Sequence, residues 1–160
     1  LVNFIKIKNK WSEIGNFWKC CDTSCINTYN PIGNCIEGNG FANIVNDENI
    51  KYINCLEGKG CDKNATIFAQ TPFNTPQNYF NYSLYYFEIK CKFESKLKKS
   101  WINLGLKNCR RGVLVDNNFV SYKQYIALGC CSIEANFGND LGNNPFKYDI
   151  SKHEILKEFY

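Results

Sequence analysis

The sequence predicts an all-β domain, an antiparallel β-sandwich closed by one short C-terminal helix. Short runs of apolar, β-branched and aromatic residues recur along the chain, and clusters of Asn, Gly, Pro and Asp separate them as turn residues do. The 160 residues are enough for one hydrophobic core. With 44% hydrophobic and 21% charged residues, the chain has the composition of a globular domain, which excludes a disordered tail or a coiled coil.

The predicted elements follow from these runs in chain order. Strands are predicted at 2–8, 41–45, 50–56, 65–70, 82–93, 101–106, 113–115, 119–128 and 131–137. Residues 1–40 are predicted to form an N-terminal extension with a cysteine-rich loop, because 23–40 is poor in strand formers, and 41–160 to form the sandwich. The last element is a helix over 151–160, which Ser151 can cap with Glu154 three residues later.

Alternation is clearest in the run 82–93. The residues of one face are apolar or aromatic: Tyr85, Phe87, Ile89, Cys91 and Phe93. Since successive side chains of a strand point to opposite faces, we expect this face to be buried and to pack across the sandwich against Ile133, Ala135 and Phe137. The same rule predicts Cys131 inside the core and Cys130 outside it, unless a bulge interrupts the strand.

Cysteine is unusually frequent in this chain. The ten cysteines are Cys20, Cys21, Cys25, Cys35, Cys55, Cys61, Cys91, Cys109, Cys130 and Cys131. The even number and the glycosylation sequons at Asn64 and Asn81 are compatible with disulfides in a secreted protein. Buried thiols are equally compatible, because a reduced cysteine behaves as a small hydrophobic residue.

Zinc is the third interpretation of the cysteines. Cys21 and Cys25 have the spacing of one ligand pair, whereas Cys35 follows without a near partner and Cys55 and Cys61 are too far apart for a second pair. The spacing therefore favours disulfides or plain thiols over zinc, and we expect neither a metal nor a cofactor.

Charge and catalytic motifs exclude several functions. The net charge of +4 comes almost wholly from lysines, and without an arginine-rich stripe we expect no nucleic-acid partner. No apolar run approaches the roughly 18 residues of a membrane span. The only histidine, His153, is predicted at the surface, and Glu88 and Glu94 lie on the polar face of a strand. We therefore expect a protein that is not an enzyme.

Two groups of motifs resemble the SPRY domain. YYFEIK at 85–90 and WINLGLKN at 101–108 resemble its central strands, and YIALGCCSIEANFGN at 125–139 with NPFKYDI at 144–150 resembles its ending. The segment FWKCCDTSCINTYNPIGNCIEGNGF at 17–41 further resembles an N-terminal stretch of secreted SPRY-like proteins of plant-parasitic nematodes, which act on their hosts as effectors. The resemblance implies a β-sandwich that binds proteins through loops at one end and carries no catalytic centre.

The chain departs from the SPRY pattern near 108–112. After WINLGLKN the family continues through further strands, whereas here CRRG leads directly into VLVDNNF, so a central block is missing. A misjoined gene model, a splice form and a degenerate paralogue are alternative origins of this gap.

The resemblance also indicates where a partner would bind. Of the retained loops, 72–78 and 95–100 flank one strand and lie at opposite ends of it. We predict binding by Phe73, Asn74 and Gln77, because an aromatic ring and amides can bury apolar area and still form hydrogen bonds; the alternative is that Phe73 packs onto the sandwich. The expected function is a secreted, non-enzymatic module that binds a host protein, including within host cells. The alternative is an extracellular structural protein or enzyme held by disulfides.

Overall fold

The computed structural model describes residues 2–74, 82–93, 99–109 and 121–152, and it is all-β as predicted. Its strands are β1 (Val2–Phe4), β2 (Trp11–Ile14), β3 (Phe41–Ile44), β4 (Asn49–Ile53), β5 (Ala65–Ala69), β6 (Phe73–Asn74), β7 (Tyr82–Leu84), β8 (Glu88–Phe93), β9 (Trp101–Asn108), β10 (Ser121–Gly129) and β11 (Cys131–Asn136). In the described part of the chain the strands are followed by a 3₁₀ turn, Ile150–Lys152. None of the helical structure in the described ranges is long and apolar enough to cross a bilayer.

The strands form two main antiparallel sheets. In the first, β9 pairs with β10 along its whole length, and β5 and β6 share the other edge of β10, with β2 outside β5. The second sheet has the order β3-β4-β11-β8. A separate parallel pair joins β1 to β7. Because β2 pairs with β5, part of the predicted N-terminal extension is built into the sandwich.

One hydrophobic core joins the two sheets. The first sheet contributes Ile67 and Ile126, and the second contributes Tyr52 and Ile133, all of which are at most 2% exposed. In β5 buried and half-buried residues alternate strictly, which is the pattern of a strand with one face toward the core. Fully buried side chains of this size each stabilise the fold by about 1.5–3 kcal/mol.

The predicted strand 82–93 is interrupted. Its residues form β7 and β8, and residues 85–87 between them belong to neither strand. Cys91 lies beside Ile133 and Ile89 beside Ala135 in the same sheet, so the expectation that these faces pack across the sandwich is wrong. Phe93 is exposed, contrary to the prediction. Phe87, by contrast, is partly buried and its ring stacks on Phe137 with a centroid distance of 5.9 Å.

The chain crosses from one sheet to the other between β10 and β11. Cys130 has a φ of 54°, so it sits in the left-handed region and the alternation of the two strands is broken there. Both cysteines are therefore buried: Cys131 inside, as predicted, and Cys130 also inside, contrary to the prediction. An added Cβ at Gly129 would lie 2.6 Å from Nε1 of Trp101, so a larger residue at this crossing would have to displace the Trp101 ring.

The remaining differences lie at short or terminal elements. β2 and β6 were not predicted, because runs of four and two residues are too short to show a period. The predicted strand 113–115 lies outside the described residues. So does most of the predicted closing helix, including His153, while Ser151 lies in the 3₁₀ turn.

Candidate functional site

Four cysteines of the loop between β2 and β3 bring their sulfurs together. The Sγ atoms of Cys20, Cys21, Cys25 and Cys35, here called the thiol cluster, all lie within 4.8 Å of one another. Sγ of Cys20 is 3.4 Å from that of Cys25 and 3.6 Å from that of Cys21, and Cys21 and Cys25 are 3.5 Å apart. No disulfide joins these four cysteines. The sequence spacing identified only the Cys21–Cys25 pair.

Local turns bring the first three cysteines together. Ser24 has a φ of 47°, and its N–H donates to the carbonyl of Cys21 at 3.0 Å, which turns the chain so that Cys25 faces back toward Cys20 and Cys21. The N–H of Ile26 then donates to Sγ of Cys20 at 3.3 Å. Adjacent and nearly adjacent cysteines thus point at one centre because the backbone between them is folded back.

Contacts with the sheets bring Cys35 to the same centre. The Thr28 hydroxyl donates to the carbonyl of Ile14 in β2 at 3.1 Å and accepts from its N–H at 3.0 Å. Asn43 of β3 bonds both backbone groups of Gly33, at 2.9 and 3.1 Å. The loop is therefore fixed between β2 and β3, and its return path carries Cys35 beneath Cys20, whose carbonyl accepts from the Cys35 thiol at 3.6 Å.

The turn after β4 supports the cluster from the other side. The Asn39 side chain donates to the carbonyl of Cys20 and accepts from the N–H of Cys61 at 2.9 Å. The N–H of Leu56 donates to the carbonyl of Gly38 at 2.8 Å. Asn39 therefore links the thiol cluster directly to the segment 55–62.

Burial governs the electrostatics of the cluster. Cys20 is completely buried, Cys21 and Cys35 are nearly so, and Cys25 is half-buried. Desolvation raises the pKa of Cys20 and of Cys25, whereas a hydrogen bond from the N–H of Cys25, followed by one from the Thr23 hydroxyl, lowers the pKa of Cys21. The cluster therefore favours negative charge at one sulfur and opposes it at its neighbours.

The same loop exposes large apolar side chains to solvent. Those between β2 and β3 are Phe17, Trp18, Tyr29, Ile32 and Ile36. Tyr29 is 98% exposed and Phe17 is 84% exposed, and the rings of Phe17 and Trp18 lie edge to face at 5.0 Å. We call this set the apolar loop surface. Sequence reasoning missed it, although three aromatic residues in a loop that is poor in strand formers were a visible signal.

The predicted binding residues lie elsewhere in the molecule. Phe73 and Asn74 form β6 rather than a loop, and Phe73 is half-buried, with its ring stacked on Tyr85 at 4.6 Å. This position agrees with the alternative that Phe73 packs onto the sandwich. Asn74 is exposed, and Gln77 lies outside the described residues.

The sequence also singled out the sequon residues Asn64 and Asn81 and the carboxylate of Glu88. Asn64 is half-buried directly before β5, and Asn81 lies outside the described residues. Glu88 accepts a hydrogen bond from the Tyr86 hydroxyl at 3.1 Å and from the N–H of Tyr148 at 2.9 Å. Burial acts to raise the pKa of Glu88, but hydrogen bonds from the backbone of Lys147 and Tyr148 prevail and lower it. Glu88 thus fastens the C-terminal segment to β8.

Comparison with known proteins finds no matching family model, no similar curated protein and no similar solved structure.

Proposed function

We propose that this protein is a non-enzymatic protein-interaction module, secreted by a parasite and directed at a host protein. The observation that carries the proposal is the apolar loop surface. Single exposed apolar residues are normal, whereas several large ones on one loop, as between β2 and β3, favour a surface that binds another protein. Aromatic side chains in particular supply much of the binding energy at interfaces.

The loop is ordered before any partner arrives. The Asn27 side chain accepts from the N–H groups of Tyr29 and Asn30 at 2.8 and 3.0 Å, and Asn30 in turn donates to the carbonyl of Cys25 at 2.7 Å. Tyr29 is thus presented at the tip of a hydrogen-bonded turn. A preformed surface loses less conformational entropy on binding, so more of the contact energy is expressed as affinity.

The resemblance to secreted SPRY-like effectors supports the same function from the sequence. In that family, loops at one end of a β-sandwich bind proteins, and the resembling segment 17–41 contains the whole apolar loop surface. Secretion and action inside a host cell remain part of the proposal.

A capture experiment with matched variants tests the proposal. The full chain is immobilised and exposed to extract of plant root, in parallel with the variant Phe17→Ser/Trp18→Ser/Tyr29→Ser. The control is Leu104→Ser/Leu106→Ser, which removes two apolar side chains that are about half exposed on β9. We expect at least one host protein to be retained by the wild type and the control and lost by the triple variant.

Calorimetry with that purified host protein then measures the affinity directly. Loss of three exposed aromatic side chains should weaken binding by about 2 kcal/mol or more. Phe73→Ala in the same assay tests the binding residues predicted from the sequence. A larger loss from Phe73→Ala than from the triple variant would move the interface to β6, and equal retention by all variants would contradict the proposal.

A further inference from the structure

We propose that the thiol cluster binds one zinc ion, with Cys20, Cys21, Cys25 and Cys35 as its four ligands. Structural zinc sites are tetrahedral, and four cysteine thiolates are one of their standard ligand sets. A zinc–sulfur bond of about 2.3 Å places the sulfurs of a regular tetrahedron about 3.8 Å apart. The measured separations of 3.4, 3.5 and 3.6 Å, with all four sulfurs within 4.8 Å, require only small outward movements to reach that geometry.

The same distances argue against disulfides as the purpose of the cluster. A disulfide brings two sulfurs to about 2.05 Å and leaves the others apart. Here Cys25 is almost equally distant from Cys20 and Cys21, so the geometry singles out no pair. Four sulfurs around one centre is the arrangement that a shared ion produces. The choice of sulfur also excludes magnesium and calcium, which prefer oxygen ligands.

Backbone groups around the cluster match the requirements of bound thiolates. Binding releases one proton from each thiol, so Zn²⁺ and four thiols give a complex with a net charge of −2 and four protons. That charge is buried and must be stabilised by donors. The N–H of Ile26 points at Sγ of Cys20, that of Cys25 at Cys21, and that of Ile36 at Cys25. Such outer contacts orient metal ligands and stabilise their charge.

Burial makes this site structural rather than catalytic. A catalytic zinc ion keeps a coordination position open for water, whereas four cysteine ligands close the coordination shell. Three of the four cysteines are at most 6% exposed and belong to the hydrophobic core. The ion would therefore join the loop between β2 and β3 to the core of the sandwich. This role goes beyond partner binding, and its test requires no partner.

The metal content of the purified full chain gives the first test. We expect one zinc per chain by mass spectrometry of the metals, from protein prepared under reducing conditions and dialysed against zinc-containing and then metal-free buffer. Replacement of zinc by cobalt should give thiolate-to-cobalt charge-transfer bands and the visible bands of a tetrahedral site. Protein that holds no metal, or that holds iron in place of zinc, would overturn the assignment.

Two variants and a control identify the ligands. Cys35→Ser should lower zinc affinity by more than the roughly 10–100-fold that loss of an outer contact costs. The control Cys91→Ser removes a half-buried thiol on β8, outside the cluster, and should leave zinc affinity unchanged. Cys25→His is the second variant, chosen because it provides a ligand that zinc accepts and so does not depend on the folding of Cys35→Ser: it should retain one cobalt and lose about a quarter of the charge-transfer intensity. A cobalt spectrum unchanged by Cys25→His would show that Cys25 is not a ligand and overturn the proposal.

Discussion

Gly60 is the position where a single methyl group should damage the support of the thiol cluster. The chain at Gly60 crosses the chain at Gly38 and Asn39 so closely that an added Cβ would lie 2.5 Å from the carbonyl carbon and oxygen of Gly38 and 2.6 Å from the nitrogen of Asn39. Gly60 does not have a positive φ, so the cost of Gly60→Ala is steric. The contacted atoms are backbone atoms, which cannot rotate away.

The magnitude follows from the displacement that the methyl group requires. Ordinary contacts of a Cβ begin at 3.4 Å, so the segment at Gly60 and the segment at Gly38 and Asn39 must separate by nearly 1 Å. Overpacking of a closely packed site costs about 1–3 kcal/mol, and the backbone contacts place Gly60→Ala at the upper end. The separation also strains the hydrogen bond between Asn39 and Cys61. We expect a loss of about 3 kcal/mol, or a melting temperature lower by about 6–12 °C in a chain of this size.

Urea unfolding followed by tryptophan fluorescence measures this loss. Gly142→Ala is the matched control, because its Cβ would meet nothing closer than 3.6 Å, and it should change stability by less than about 0.5 kcal/mol. Gly58→Ala, in the same turn as Gly60, has open space but a φ of 74°, so it should cost about 1–2 kcal/mol from backbone strain alone. Equal stability of Gly60→Ala and Gly142→Ala would refute the close crossing of these two segments of the chain.

Three further results are expected. Tyr52→Phe removes the hydroxyl that donates to the carbonyl of Lys63 at 2.7 Å and should cost about 1–3 kcal/mol by urea unfolding; wild-type stability would contradict that hydrogen bond. Alkylation of the native protein with mass-spectrometric mapping should label exposed Cys61 early and buried Cys130 only on unfolding, and early labelling of Cys130 would refute the buried crossing between the sheets. The pKa of Glu88 is lowered in the folded state, so its contribution to stability is complete above the ordinary value of 4.5 and is lost as the pH falls through the lower folded-state value. Glu88→Gln should therefore flatten the acid side of the stability profile, and an unchanged profile would contradict this role.

The all-β class could be predicted because burial on one face imposes a period of two on the sequence. This signal is strong where a strand stays in one sheet, as in β5 and in the second half of β10, where Ile126 and Leu128 are buried and Ala127 between them is not. It fails at Tyr85–Phe87, where the residues continue to alternate although the chain leaves β7 for a strand of another sheet. The chain can pass from one sheet to another without any change in the type of residue. A prediction based on periodicity then continues one strand across the point where the chain changes sheet.

Only two of the four cysteines of the thiol cluster could be grouped from the sequence. The Cys21–Cys25 spacing is local and visible in the sequence, whereas the approach of Cys35 depends on Thr28 binding Ile14 and on Asn43 binding Gly33. These are contacts between a loop and strands that ligand-spacing rules do not describe. The left-handed φ of Cys130 is a second case, because a non-glycine residue in that conformation leaves no mark on composition.

The thiol cluster and the apolar loop surface are two sides of one segment, and this connects the two proposals. Ile36 is exposed directly after the buried Cys35, and the turn that presents Tyr29 is hydrogen-bonded through Asn30 to the carbonyl of Cys25. A zinc ion that fixes Cys25 and Cys35 would therefore also fix the positions from which Tyr29 and Ile36 meet a partner. Without the ion, hydrogen bonds alone would hold the loop, and any conformational freedom that it regained would be lost on association and would lower affinity. The loop between β2 and β3 would then combine a buried cysteine site that fixes its conformation with exposed aromatic residues that contact a partner.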